Sequence, residues 1–310
     1  MPVAIEAAIS ELIENKRMTR KEADPPIVDR SIFHEGSDTG ILLIHGLGGT
    51  PVEMRFVAQG LARAGFTVYC CQLAGHCGTP DQLRLSHREE WRASVMTALD
   101  KLKSRCSTIL VGGLSMGAIL ALDVAERSPR DVQGLLLFAP SLKLDGWAMG
   151  WMSKYVLPLV RPTSYCSNIY MKEHEPYGIK DQRIRAFIVN GMQSGDSSAA
   201  GLFSTPLHSF AHFSALAANV KRRLPAIEAP ALIIHPREDD MASLDNALEI
   251  QRRLSGVVEL VVLDDSYHII TLDRQRHLVV DRSVAFARGL ERQLGVVDVD
   301  ATRLHRQRVE

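Results

Sequence analysis

The most informative part of the chain is the stretch Thr108-Ile-Leu-Val-Gly-Gly-Leu-Ser-Met-Gly-Ala118. It contains a Gly-x-Ser-x-Gly pentapeptide, residues 113–117, between an apolar β-branched run and a small-residue helical pattern. We expect Ser115 at a sharp turn from strand to helix, where a side chain at either flanking glycine would collide with neighbouring backbone. Roughly one chain in ten of this length has such a pentapeptide by chance, so the surrounding sequence must decide what it means.

Short apolar runs recur along the chain, with helical patterns between most of them. The strand-like runs are 41–44, 67–70, 108–111, 135–138, 231–234 and 257–263. Continuous apolar runs of this length are typical of strands covered on both faces. The helical patterns include 51–64, 88–103 and 243–254. This alternation predicts an α/β fold with an open, mostly parallel sheet and helices on both faces.

The alternation breaks over residues 141–205, which are rich in aromatic residues and loop signals and contain one short strand signal, 187–189. We predict that this segment is a mainly helical cap inserted into a core formed by 1–140 and 206–310. An insertion after a strand end lies where ligand sites of α/β sheets form. Residues 1–24 are expected to form an N-terminal helix extension, and 298–310 a charged tail.

Composition excludes several classes of partner. The chain has 36 Lys and Arg against 36 Asp and Glu, so no nucleic-acid or anionic-membrane partner is expected. The N-terminal residues lack a signal-peptide pattern and no apolar run reaches about 18 residues, so we expect no transmembrane segment and a cytoplasmic location. Oligomeric state is left open.

The cysteines are expected to be reduced thiols without a metal. Their number, five, is odd, and their spacing is irregular. Cys70 and Cys71 stand near His76 and Cys77, yet the ligand spacings of a tetrahedral zinc site are absent. No metal is therefore predicted.

A serine nucleophile needs a base, and the base needs an acid that fixes its tautomer. Two later loops supply both. The apolar run 231–234 is followed by Arg237-Glu-Asp239-Asp240, and the run 257–263 by Ser266-Tyr-His268. Taken with Ser115, these residues form an ordered set of serine, acid and histidine.

The chemistry also needs two backbone donors for the oxygen on which negative charge develops. The N–H of Met116, directly after the serine, is the first candidate. Leu47, in the early glycine-rich loop His45-Gly-Leu-Gly-Gly, is the best candidate for the second. A phosphate-binding loop is the alternative interpretation, but the Gly-Lys-Ser/Thr signature is missing.

These motifs, with Gln72-Leu-Ala-Gly75-His76-Cys77-Gly78, resemble the α/β-hydrolase superfamily, most closely its small bacterial carboxylesterases and monoacylglycerol lipases. The resemblance extends over about residues 38–290 in motif order. It implies Ser115 as nucleophile, His268 as base, Asp239 as acid and Leu47 and Met116 as oxyanion donors, with no cofactor. Relatives often carry glycine where this chain has Cys77 and Tyr267.

The expected substrate is a small acyl ester of short or medium chain, or a monoacylglycerol. A thioesterase, amidase or acyltransferase with the same triad is an alternative, and a non-catalytic binding protein is a further one. Asp240 and Asp145 are alternative acids, while His45 and His76 are interpreted as structural. The predicted cap, 141–205, contains large side chains that could line an acyl pocket or pack the cap itself; they are Trp147, Trp151, Met152 and Phe203.

Overall fold

The computed structural model describes residues 26–149, 169–193 and 201–295. The strands in these residues are β1 (Ile32–His34), β2 (Thr39–Ile44), β3 (Thr67–Cys71), β4 (Thr108–Leu114), β5 (Gly134–Phe138), β6 (Tyr170–Lys172), β7 (Ser204–Pro206), β8 (Ala231–Pro236) and β9 (Val258–Leu263). The α-helices are α1 (Arg55–Arg63), α2 (Pro80–Leu85), α3 (Arg88–Lys103), α4 (Met116–Arg127), α5 (Gln182–Gln193), α6 (Leu207–Arg223), α7 (Asp245–Arg253) and α8 (Arg276–Gln293). Short 3-10 turns, Pro51–Met54 and Leu224–Ala226, precede α1 and follow α6.

Seven of these strands form one sheet in the order β1-β3-β2-β4-β5-β8-β9. β1 pairs antiparallel with β3, and every other neighbouring pair is parallel. In the register of the centre, Ile44 pairs with Cys71 on one side and with Gly113 on the other. The carboxyl ends of the parallel strands therefore meet at one edge of the sheet, where ligand sites form in such folds.

Helices cover both faces of the sheet. Successive side chains of a strand point to opposite faces. Leu42 and Ile44 belong to the hydrophobic layer that includes residues of α3, α4, α6 and α7, whereas Ile41 and Leu43 belong to the layer that includes residues of α1 and α8. The two hydrophobic layers explain why the strands are continuous apolar runs. The predicted fold class is confirmed.

The predicted cap segment, 141–205, lies partly outside the described residues, which omit 150–168 and 194–200. Its described part contains β6 and helix α5, and β6 pairs antiparallel with β7 at the segment's end. The predicted strand at 187–189 is wrong, because these residues lie in α5. Periodicity cannot separate a short apolar strand from a helical segment. The predicted N-terminal helix and C-terminal tail lie outside the described residues.

In the part of the chain that the structure describes, no helix is both long and apolar enough to cross a membrane. The thiols of Cys70 and Cys71 are buried in the core of the sheet. Burial raises the pKa of Cys71 to about 12 and raises that of Cys70 as well, so both groups are protonated and pack as small hydrophobic side chains.

Candidate active site

Ser115 sits at the turn between β4 and α4 with a strained backbone, φ 55° and ψ −114°. Its N–H donates to the carbonyl of Phe138 at 2.9 Å, which ties the turn to the neighbouring strand β5. A Cβ on Gly113 would lie 2.5 Å from the backbone of Gly117, and one on Gly117 would lie 2.2 Å from the carbonyl oxygen of Ile44. Both glycines are therefore required sterically, which agrees with the reason given for the pentapeptide.

Asp239 follows β8 and holds the imidazole of His268, which follows β9. The His268 Nδ1 lies 2.8 Å and 3.0 Å from the two carboxylate oxygens of Asp239. The N–H groups of Met241 and Ala242 both donate to Asp239 Oδ1 at 2.8 Å. These donors fix the position of the carboxylate. Because a carboxylate only accepts hydrogen bonds, His268 donates its Nδ1–H, and the neutral ring keeps its lone pair on Nε2.

The two alternative acids have other partners. Asp240 accepts the backbone N–H groups of His268, at 3.1 Å, and Gly178, at 2.9 Å. Asp145 accepts Ser243 N–H and the Asn246 amide, both at 2.9 Å. Neither carboxylate is hydrogen-bonded to the imidazole ring, so the geometry favours Asp239 as its partner.

The charges around His268 compete with its burial. Burial disfavours the imidazolium, but the carboxylate of Asp239, supported by Asp240 and Glu53, raises the pKa of His268 above its ordinary value. Burial, with the neighbouring charge of Asp239, raises the pKa of Asp240. The imidazole is thus surrounded by groups that stabilise its protonated form.

The Ser115 hydroxyl has a partner that the sequence did not indicate. Its Oγ lies 3.2 Å from the Oγ of Ser141, which donates to the carbonyl of Ala139 at 3.1 Å. The Nε2 of His268 is buried without a hydrogen-bond partner among the described residues. Ser115 and His268 line the same cleft.

Two candidate backbone donors face this cleft. Met116 is the first residue of α4, so its N–H has no partner within the helix. Leu47 lies in the loop after β2 and lines the cleft beside Ser115. The neighbouring N–H of Gly46 donates to the Glu53 carboxyl at 3.2 Å, and this hydrogen bond helps to fix the loop that follows β2. Both predicted donor residues are brought to the serine.

The predicted structural histidines support the same loops. His45 Nδ1 donates to the carbonyl of Gly46 at 2.9 Å, and its Nε2 accepts Leu73 N–H at 3.2 Å. The ring of His76 stands edge-on to that of His45, at 4.9 Å between centroids. Burial lowers the pKa of both rings, that of His76 to about 4, so both are neutral. A neutral ring that both donates and accepts suits a structural role.

The cleft is open to solvent, and the centre of a water molecule can occupy a volume of about 80 Å³ in it. Much of its lining is apolar, with Leu144, Tyr177, Met192, Leu202, Phe210, Phe213, Met241 and Ile269. No lysine or arginine occurs among its described lining residues. The structure does not place Trp147 or Phe203 in this lining; Trp147 instead donates to the carbonyl of Glu238 and contacts Tyr267. Trp151 and Met152 lie outside the described residues.

Two acids in the cleft wall, Glu53 and Glu173, were missed by sequence reasoning. Burial raises the pKa of each to about 7. Glu53 looks in the sequence like an ordinary acidic residue in a first helical turn, and Glu173 lies in the inserted segment without a motif. Close to neutral pH, each is partly protonated and can both donate and accept a hydrogen bond.

Comparisons with known proteins agree with this architecture. The family model described as serine aminopeptidase, S33, matches residues 37–275. A thermostable monoacylglycerol lipase of Bacillus sp. (strain H-257) is 31% identical over 255 residues, covering 82% of this chain and 92% of the relative. A carboxylesterase of Bacillus subtilis (strain 168) is 24% identical over 259 residues, covering 82% and 94%.

Solved structures give the same result. A structure reported for the metagenome-derived lipolytic enzymes LipS and LipT has a TM-score of 0.70 and 30% identity, covering 84% of this chain and 97% of that one. A soluble variant of the monoglyceride lipase of Saccharomyces cerevisiae has a TM-score of 0.71 at 16% identity, and the match covers 87% of this chain and 96% of that one. At this identity the similarity bears on the fold alone.

The fold and the strained serine turn define the class of α/β-hydrolases, as the sequence predicted. Within that class, the chain belongs to the family described as serine aminopeptidase, S33.

Proposed function

We propose that this chain is a serine hydrolase that cleaves carboxylic esters, with Ser115 as nucleophile, His268 as base and Asp239 as acid. The observation that carries the proposal is the buried Asp239–His268 pair, 2.8 Å apart, beside a cleft that Ser115 also lines. The similarity to a monoacylglycerol lipase and a carboxylesterase supports ester hydrolysis independently.

In the first half-reaction, Ser115 Oγ attacks the acyl carbonyl carbon while Nε2 of His268 takes the hydroxyl proton. The N–H groups of Leu47 and Met116 stabilise the oxyanion of the tetrahedral intermediate. His268 then gives the proton to the departing alcohol, which leaves the acyl group on Ser115. In the second half-reaction, water attacks the acyl-enzyme through the same base, and the carboxylic acid is released.

We further propose a monoacylglycerol or a similar small acyl ester as the substrate. The apolar cleft wall suits an acyl chain, while Glu53 and Glu173 offer hydrogen bonds that suit the hydroxyl groups of a glycerol head. Five lining residues lie in 141–205, which supports the proposal that this segment caps the site; they are Leu144, Glu173, Tyr177, Met192 and Leu202.

Hydrolysis of a monoacylglycerol and of p-nitrophenyl esters by the wild type and Ser115→Ala tests the mechanism. We expect the variant to lose about 10⁴-fold or more in turnover, because no other group in the triad can carry the acyl intermediate. Matched thioester and amide substrates measure the leaving-group preference. Ser209→Ala, at a buried serine outside the cleft lining, is the control for folding. Equal ester hydrolysis by Ser115→Ala and the wild type would overturn the mechanism.

A further inference from the structure

Three histidines meet beside the active-site cleft: His87 is exposed, His208 is half-buried and His212 is buried. His87 directly precedes α3, while His208 and His212 lie four residues apart in the first turns of α6. Residues at this spacing are neighbours on one face of a helix. One ring nitrogen from each histidine lies within 4.8 Å of the others. The fold thus brings His87 next to two histidines that lie more than a hundred residues further along the chain.

The distances suit a shared metal ion. The Nε2 atoms of His208 and His212 are 3.1 Å apart. Two nitrogens on a tetrahedral zinc, each about 2.0–2.1 Å from the metal, stand about 3.3 Å apart. The rings of His87 and His212 are nearly parallel, with centroids 5.0 Å apart. His87 is exposed, and one of its ring nitrogens already lies within 4.8 Å of a nitrogen of each of the other two histidines.

We propose that His87, His208 and His212 bind a divalent transition-metal ion, Zn²⁺ in the first instance, with water as the fourth ligand. Imidazole is a preferred ligand of zinc, and three histidines with an open fourth position form a known type of zinc coordination. Neighbouring cations do not face the site unpaired, since Arg84 is ion-paired with Asp81 and Arg88 with Glu89.

The affinity should be moderate. Metal-ligating histidines usually donate their second ring N–H to an acceptor, and losing such a partner costs about 10- to 100-fold in affinity. The Nδ1 atoms of His208 and His212 have no hydrogen-bond partner among the described residues. A dissociation constant in the micromolar range is therefore expected.

The metal would join α3 to α6, and α6 carries Phe210 and Phe213 in the cleft wall. None of the three histidines lines the cleft itself. The bound metal would therefore stabilise one wall of the acyl cleft by linking two helices, and it would take no part in the chemistry. It stands independently of the reaction proposed above.

Calorimetric titration of ZnCl₂ into the full chain, after treatment with a chelator, tests the site. We expect one Zn²⁺ per chain and a rise in melting temperature of roughly 5 °C at a hundredfold excess over the dissociation constant. Co²⁺ in place of zinc should give the visible absorption of a tetrahedral nitrogen site.

The variants His208→Ala and His87→Gln should weaken binding at least tenfold, and His277→Ala, at an exposed histidine elsewhere, should leave it unchanged. Circular dichroism of the metal-free variants checks their folding, and His87→Gln, at an exposed position, serves if His208→Ala does not fold. The proposal is overturned if the wild type shows no saturable binding, if the His208 and His87 variants bind as it does, or if only His268→Ala abolishes binding.

Discussion

Replacing Asp239 with asparagine tests how the site fixes the tautomer of His268. In the wild type, Oδ1 of Asp239 accepts two backbone N–H groups at 2.8 Å, while Oδ2 accepts Nδ1–H of His268 at 2.8 Å. An asparagine must keep its oxygen toward the two backbone donors, because an amide NH₂ there would face two other donors. The NH₂ group then points at Nδ1 of His268, which must become the acceptor.

The proton of His268 consequently moves to Nε2, the atom that should take the proton of Ser115. In a comparable triad, the same change of tautomer lowers turnover about 10⁴-fold. At about 1.36 kcal/mol for each factor of ten, this equals roughly 5.4 kcal/mol of transition-state stabilisation. We expect Asp239→Asn to remain folded, because the side chain keeps its shape and its two backbone contacts.

The assay is turnover of a p-nitrophenyl ester across pH, with circular dichroism as the folding control. Asp240→Asn and Asp145→Asn are matched controls, since neither carboxylate is hydrogen-bonded to the imidazole ring. The turnover of each control variant should fall by less than about a hundredfold, because the tautomer of His268 is unchanged. The reasoning is refuted if Asp239→Asn stays within tenfold of the wild type, or if Asp240→Asn loses as much activity as Asp239→Asn.

Three further outcomes are expected. Ser141→Ala removes one hydrogen bond of the resting Ser115, worth about 0.5–1.5 kcal/mol, so kcat should change by no more than about tenfold; a larger loss would assign Ser141 to the proton relay. Gly117→Ala puts a Cβ 2.2 Å from the carbonyl oxygen of Ile44 and should lower the free energy of unfolding by about 1–3 kcal/mol in urea titrations, whereas unchanged stability would contradict the steric argument. Glu53 and Glu173 have a folded pKa of about 7 against an ordinary 4.5, so the folded state binds more protons between these values. Stability should therefore fall by up to roughly 3 kcal/mol per group as pH rises from about 4.5 through 7. Glu173→Gln should flatten that slope, and an unchanged slope in the variant would refute the assignment.

The centre of the sheet was predictable because β2, β4, β5 and β8 are buried along their whole length and therefore stand out as apolar runs. The need for glycine at positions 113 and 117 was also predictable, because the clash that excludes a side chain there involves backbone atoms close to one short turn. The strand signal at 187–189 was misleading, because these residues form part of a helix. Phe187, Ile188 and Val189 are successive residues of α5, in which Phe187 is exposed and Ile188 is buried, and a run of three residues cannot reveal a helical period.

The site could be predicted where sequence order fixes geometry. Ser115, Asp239 and His268 each follow a parallel strand, so the topology alone brings them to one edge of the sheet. Ser141 and Glu173 carried no such signal. Their roles depend on which side chains face across the cleft, and that is set by packing after the chain has folded.

The two missed acids change how the base should behave. The charge of His268 opposes the rise in the pKa of both glutamates that burial causes, and the charge of Glu53 in turn raises the pKa of His268. The protonation of His268 therefore depends on that of Glu53. An ionised glutamate stabilises the imidazolium, which raises the pKa of His268 and leaves a smaller fraction of the ring neutral, whereas a protonated glutamate does not. A substrate head group that displaces water from the two carboxyls would keep them protonated. Occupation of the cleft would thereby lower the pKa of His268 and leave more of the ring neutral, able to accept the proton of Ser115. Substrate binding would then be linked to the protonation state of His268 through side chains that never touch the ester bond.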